Sequence, residues 1–156
     1  MNKILKLSFD GKDLGYLGMQ THEGKNKFYG GVDRSEAVEF YQVEYPKFKS
    51  AYYYEVVKNK GHYLDIQASN SQLFSDKPSR SSPLSSIVAW TVVEGELSAV
   101  IAGVSTTEAI GISATDPHSL ILYGNLEVGG EQACKVEVLD AQHHLNVVTE
   151  KVLEEA

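Results

Sequence analysis

The stretch GHYLDIQ, residues 61–67, repeats a phrase the chain also writes as LGYLGMQ at residues 14–20 and, more loosely, as TEAIGISA at residues 107–114. Leu17, Leu64 and Ile110 stand 47 and 46 residues apart, and Met19, Ile66 and Ile112 keep the same gaps. A recurrence at a period of about 20–50 residues is the mark of a repeat architecture. Aligning the echoes divides the chain into three units, about 3–46, 51–95 and 97–140.

Each unit opens with a strand-like run, ILKLSF, YYYEVV or LSAVIA, followed by a polar or glycine-containing turn. Next comes the short alternating segment YLGM, YLDI or AIGI. Side chains in a strand alternate between two faces, so Leu17/Met19, Leu64/Ile66 and Ile110/Ile112 share one face. A third segment, KFYGG, LFSDK or ILYGN, brings Phe28, Phe74 and Leu122 to matching places. The fourth reads AVEFYQV, IVAWTVV and ACKVEVL, with Phe40, Trp90 and Val136 in register. Val38, Val88 and Cys134 stand two places earlier, so Cys134 is expected as a small buried apolar residue rather than a nucleophile. None of the four prolines falls inside a proposed strand, where the missing N–H would break the ladder. The expectation is an all-β domain of twelve short strands whose edges are closed off in a barrel.

Three units of this size, four strands each, resemble a β-trefoil. The resemblance implies a six-stranded barrel capped at one end by three hairpins, over a single domain spanning residues 1–141. The tail 142–156, QHHLNVVTEKVLEEA, lies outside the repeats. Its Leu145, Val148 and Val152 fit helical spacing, which suits a short helix packed on the barrel or a docking segment for a second subunit, and hence a homodimer.

The bulk properties remove several classes of function. A chain of 156 residues can bury roughly 68–70% of its unfolded surface as one domain. No apolar run approaches the ~20 residues that cross a bilayer as a helix, so membrane insertion is not expected. A single cysteine leaves no intramolecular disulfide, and the opening MNKILKLSFDGKD does not read as a signal peptide. These features suit a cytoplasmic chain, or one secreted without a signal peptide. The formal charge of −7, with scattered basic residues, argues against a nucleic-acid partner.

No nucleophile elbow, phosphate loop, dinucleotide fingerprint or metal-binding spacing occurs. The expectation is therefore a non-enzyme with no cofactor and no metal. Among β-trefoils, lectins of the ricin type hold sugar with an aspartate, an aromatic and a Gln-x-Trp motif. Tyr29 and Tyr123 match the aromatic place. The aspartate place holds Thr21, Ala68 and Ala114, and of the Gln-x-Trp only Trp90 survives. A looser carbohydrate site remains in the first unit, from His22, Asn26, Tyr29, Asp33 and Arg34. Another in the third unit combines Asp116, His118, Tyr123 and Asn125. Tyr-Gly pairs could present an exposed ring beside a permissive turn; alternatively the two rings pack across hairpins and the polar residues solvate loops. The leading expectation is a lectin that binds a saccharide or glycoprotein. The competing one is a protein-binding module or protease inhibitor acting through the serine-rich loop 75–86, where Lys77 or Arg80 would be presented. A bare scaffold that works only within a larger assembly is the third.

Overall fold

A computed structural model describes residues 2–81, 83–113 and 120–141. Twelve strands run through them: β1 (Lys3–Phe9), β2 (Lys12–His22), β3 (Lys25–Val32), β4 (Phe40–Glu44), β5 (Tyr52–Val56), β6 (Tyr63–Ile66), β7 (Leu73–Asp76), β8 (Ala89–Val93), β9 (Glu96–Ile101), β10 (Val104–Gly111), β11 (Tyr123–Glu127) and β12 (Lys135–Asp140). Every named pairing is antiparallel. Two tight turns show how sequence sets this pattern. Asp10–Gly11 and Glu94–Gly95 both have positive φ at each residue and join strands whose flanking residues pair directly. That is the two-residue hairpin turn whose twist matches the strands on either side, and glycine at its second place removes the steric cost.

The all-β class stands, but the barrel is not the one expected. A closed antiparallel circuit runs β1–β2–β3–β7–β6–β5–β4 and back to β1, seven strands in all. β8 joins β5 through Tyr52 and Trp90, and β9, β10 and β11 follow in order as additional strands. β12 lies along β1 through six residue pairs. The β-trefoil expectation, a six-stranded barrel with three separate capping hairpins, is therefore corrected. The hairpins β2–β3 and β6–β7 are members of the closed ladder rather than lids on it. Among the described residues no ladder pairs β9 with β12; a backbone bond, Val136 N–H to the Gly95 carbonyl at 2.7 Å, and the Lys135 side chain link the two regions. The physical reason is that period-two patterning says which residues face inward and is silent on which edge bonds which.

The inward-facing residues converge. Leu17, Leu64 and Ile110 are all buried in one cluster with Phe28, Phe40, Trp90, Leu122 and Val136. Phe40 packs against Phe28 at 5.7 Å and edge-on against Tyr54 at 5.8 Å between ring centroids. Trp90 hides completely and its indole N–H donates to the Leu64 carbonyl at 3.1 Å, so no polar group is left stranded. Cys134 is in the same core, and burial, reinforced by Glu96, pushes its thiol up to about 12. In the second unit the buried residue is Leu73; Phe74, expected there, is only half-buried and lies under the Lys25 ammonium. The tail 142–156, with its expected helix, lies outside the described residues.

Where three hairpins meet, one lysine is buried. Lys27 of β3 is 3% exposed, and its Nζ donates to the side-chain carbonyls of Gln67 and Gln72. Gln72 in turn donates to the Tyr123 hydroxyl at 3.4 Å. Backbone bonds complete the junction, from Gly30 to Leu120, Leu73 to Leu122 and Gly124 to Ser71.

Candidate functional site

The end of β1, the turn entering β9 and the start of β12 line an open cavity of about 480 Å³. Its walls include Phe9, Asp10, Glu96, Gly129, Glu131 and Lys135. The two tight turns, Asp10–Gly11 and Glu94–Gly95, set this geometry: the first puts Asp10 on the rim, and the second delivers Glu96 as the first residue of β9. Lys135 is placed by pairing with Ser8 in the β1–β12 ladder.

Glu96 is the unusual member. It is 3% exposed, at the start of a strand whose next four residues, Leu97 to Val100, are all buried. Its Oε1 accepts the Gly129 N–H at 2.7 Å, and its Oε2 lies 3.4 Å from Lys135 Nζ. Lys135 Nζ also donates to the Glu94 carbonyl at 2.9 Å, which holds the lysine over the carboxylate. A buried carboxylate is tolerated only when charge and hydrogen bonds compensate it, and both are present. Asp10 and Glu131 are exposed, and Phe9 is half-buried against the core. Together the walls offer one half-buried aromatic, a fixed carboxylate and two exposed carboxylates at the mouth.

The residues expected from the sequence fall elsewhere and divide into groups. His22 and Asn26 are at the tip of the β2–β3 hairpin, where Thr21 bonds Asn26 at 3.0 Å and His22 lies 3.7 Å from Glu23. Arg34 is at the other end of that hairpin, 5.8 Å over the Tyr16 ring, with a loose 3.4 Å contact to the Asp140 carbonyl. Six strand residues separate Tyr16 from His22, about 20 Å at ~3.3 Å each, so the hairpin tip and Arg34 do not share a pocket. Asp33 is exposed at the start of a single 3-10 turn, Arg34–Glu36. Tyr29 and Tyr123 are both half-buried at the hairpin junction. Tyr29 faces Gly18 and bridges to Ile121, while Tyr123 bridges to Gln72. Burial, with Glu23 nearby, holds the Tyr29 phenol above its ordinary pKa. Asn125 is exposed beyond that junction. Asp116 and His118 lie outside the described residues. In the serine-rich loop, Lys77 and Arg80 are exposed.

Phe9, Asp10, Glu96, Glu131 and Lys135 were not singled out from the sequence. The available signal was Glu96 itself: ELSAVI is apolar on both faces of the strand, so a charge inside it has to be buried and partnered. Among the described residues, no group of three or more His, Cys, Asp or Glu is arranged to hold a metal ion. No helix among them is long and apolar enough to cross a membrane.

No protein-family model matches the chain. No curated protein matches it significantly. Among solved structures, the chain is similar to a GlcNAcα1-4Gal releasing endo-β-galactosidase from Clostridium perfringens, with a TM-score of 0.55 and 15% identity. The alignment covers 90% of this chain and 33% of that one, so the chain spans about a third of the enzyme's length. At this identity the likeness is one of fold.

Proposed function

We propose that the protein is a non-catalytic carbohydrate-binding module, and that a saccharide occupies the cavity beside Glu96. The observation that carries this reading is the pairing of an aromatic wall residue, Phe9, with a buried carboxylate held in place by Gly129 and Lys135. A sugar ring has an apolar face that suits an aromatic and a rim of hydroxyls that donate to carboxylates; such charge-assisted bonds are the stronger kind. The volume of about 480 Å³ falls in the usual range for small-ligand pockets. Glu96 is engaged by a backbone N–H and an ammonium, which makes it a fixed acceptor for hydroxyls rather than a proton donor to a leaving group. The fold neighbour adds modest support, being part of an enzyme that releases GlcNAcα1-4Gal. Glycans containing galactose or N-acetylglucosamine are therefore the first probes to try.

A glycan array followed by calorimetry tests the proposal. The expected result is binding that Glu96→Gln weakens about tenfold, because an amide keeps the shape but accepts hydrogen bonds less strongly. Circular dichroism of the variant confirms that the fold is retained. A blank array at high protein concentration overturns the reading, and so does sugar binding indifferent to Glu96→Gln but lost in Tyr29→Ala, which would move the site to the hairpin junction.

A further inference from the structure

Two carboxyl groups meet at the root of the loop that joins β7 to β8. Asp65 of β6 is 6% exposed, and its Oδ1 accepts the Ile66 N–H at 2.9 Å and the Val88 N–H at 3.2 Å. Asp76, the last residue of β7, hydrogen-bonds the Asp65 side chain. In the β6–β7 ladder Asp65 faces Phe74 and Asp76 faces Tyr63, which puts both carboxyls on the same side of the hairpin. Val88 and Asp76 bracket the loop at its two ends, so a single side chain reaches both. Asp76 is the charged group facing Asp65 from β7, and the amides of Ile66 and Val88 are its contacts from β6 and from the segment entering β8. Tyr63, opposite Asp76, has its phenol raised by burial and by Glu55, so it stays neutral near pH 7. Among the described residues no lysine, arginine or histidine forms an ion pair with either carboxyl.

The geometry points to a pH-operated clasp on the loop 77–88: protonated Asp65 holds Asp76 by a carboxyl–carboxylate hydrogen bond, and ionised Asp65 repels it and frees the first residues of the loop. The Val88 end behaves differently. An ionised carboxylate accepts N–H bonds more strongly, so Asp65 keeps Ile66 and Val88 while releasing Asp76. Opening is therefore one-sided, at Asp76, Lys77 and the residues that follow. Burial is the largest influence on Asp65, with the bond to Asp76 next, and together they hold its carboxyl up at about 7. Burial persists when the loop opens, so only the part of the rise due to Asp76 is coupled to opening: the closed form is favoured while Asp65 is protonated and loses that advantage as pH rises through about 7.

Trypsin reads the clasp directly on the full chain, because Arg80 lies in the segment set free, whereas Pro78 shields Lys77. Cleavage after Arg80, measured relative to a small peptide substrate in the same buffer, is expected to rise at least about threefold between roughly pH 6 and pH 8. Asp65→Asn keeps the shape and cannot ionise, so its profile should stay flat; Asp76→Asn removes the opposing charge and should flatten the profile too. A flat profile in the unmodified protein overturns the clasp, as does an equal rise in both variants. A carbon-13 titration of the Asp65 carboxyl gives a second reading: an inflection below about pH 5 would also overturn it.

Discussion

Lys27, on β3 of the closed circuit, and Glu96, at the start of β9 outside it, are both charged residues only 3% exposed. They are accommodated in opposite ways. Lys27 is capped by two neutral amide oxygens at a junction closed by backbone bonds between hairpins. Glu96 is held by one amide N–H and one ammonium, beside a cavity. A lysine satisfied by uncharged partners joins segments distant in the chain, β3, the β6–β7 connection and, through Gln72, β11. Glu96 has one partner on each carboxylate oxygen and also lines the wall of the cavity. Burial alone therefore does not mark a binding residue; burial next to space does.

Substitutions can break this contrast. The largest effect is expected at the junction: Lys27→Ala strands two glutamine carbonyls and leaves a gap, and should cost about 2–4 kcal/mol in urea unfolding. Lys27→Met fills the same volume without a charge to bury and should cost distinctly less. If both variants unfold like the parent, the junction is not where the hairpins are tied. Next comes Glu96→Gln, for which about 1.4 kcal/mol should appear in sugar affinity. Should its loss appear instead as a stability drop matching that of Lys27→Ala, with affinity intact, Glu96 would be a second structural charge and the contrast would fail. The smallest effect sharpens it. Three carboxylates, Asp10, Glu96 and Glu131, share the cavity with one ammonium, Lys135. Uncharged sugars should bind a few-fold better than sialylated or sulfated ones at low salt, with the gap narrowing near 0.5 M salt as screening shortens the reach of the rim charges to about 4 Å. Paired titrations of one glycan with and without its acidic group, at two ionic strengths, measure this.

How much of this could be read in advance differs between the faces of strands and their edges. Leu17, Leu64 and Ile110 were legible because alternation is written locally, two residues at a time. Phe74 was mistaken for Leu73 because LF offers two adjacent large apolar residues, and a shift by one place exchanges the faces. The seven-stranded circuit was illegible: three of its links rest on single residue pairs, Lys3 with Phe40, Lys27 with Phe74 and Glu55 with Tyr63. Links so brief leave no pattern in sequence. At the candidate site, the Tyr-Gly pairs suggest exposed loop rings, but Tyr29 and Tyr123 are half-buried at the hairpin junction. The cavity is assembled from β1, β9 and β12, about 40–130 residues apart in the chain, and no local motif spans that distance.

The six-pair ladder between β1 and β12 also governs how the molecule comes into being. One edge of the first strand stays unbonded along most of its length until residues 135–140, about 130 residues further along the chain, are available to pair with it. Sequence-distant pairing of this kind makes folding slow. The lysines at positions 3 and 6, spaced along that waiting edge, are the residues that discourage another chain from taking the place reserved for β12.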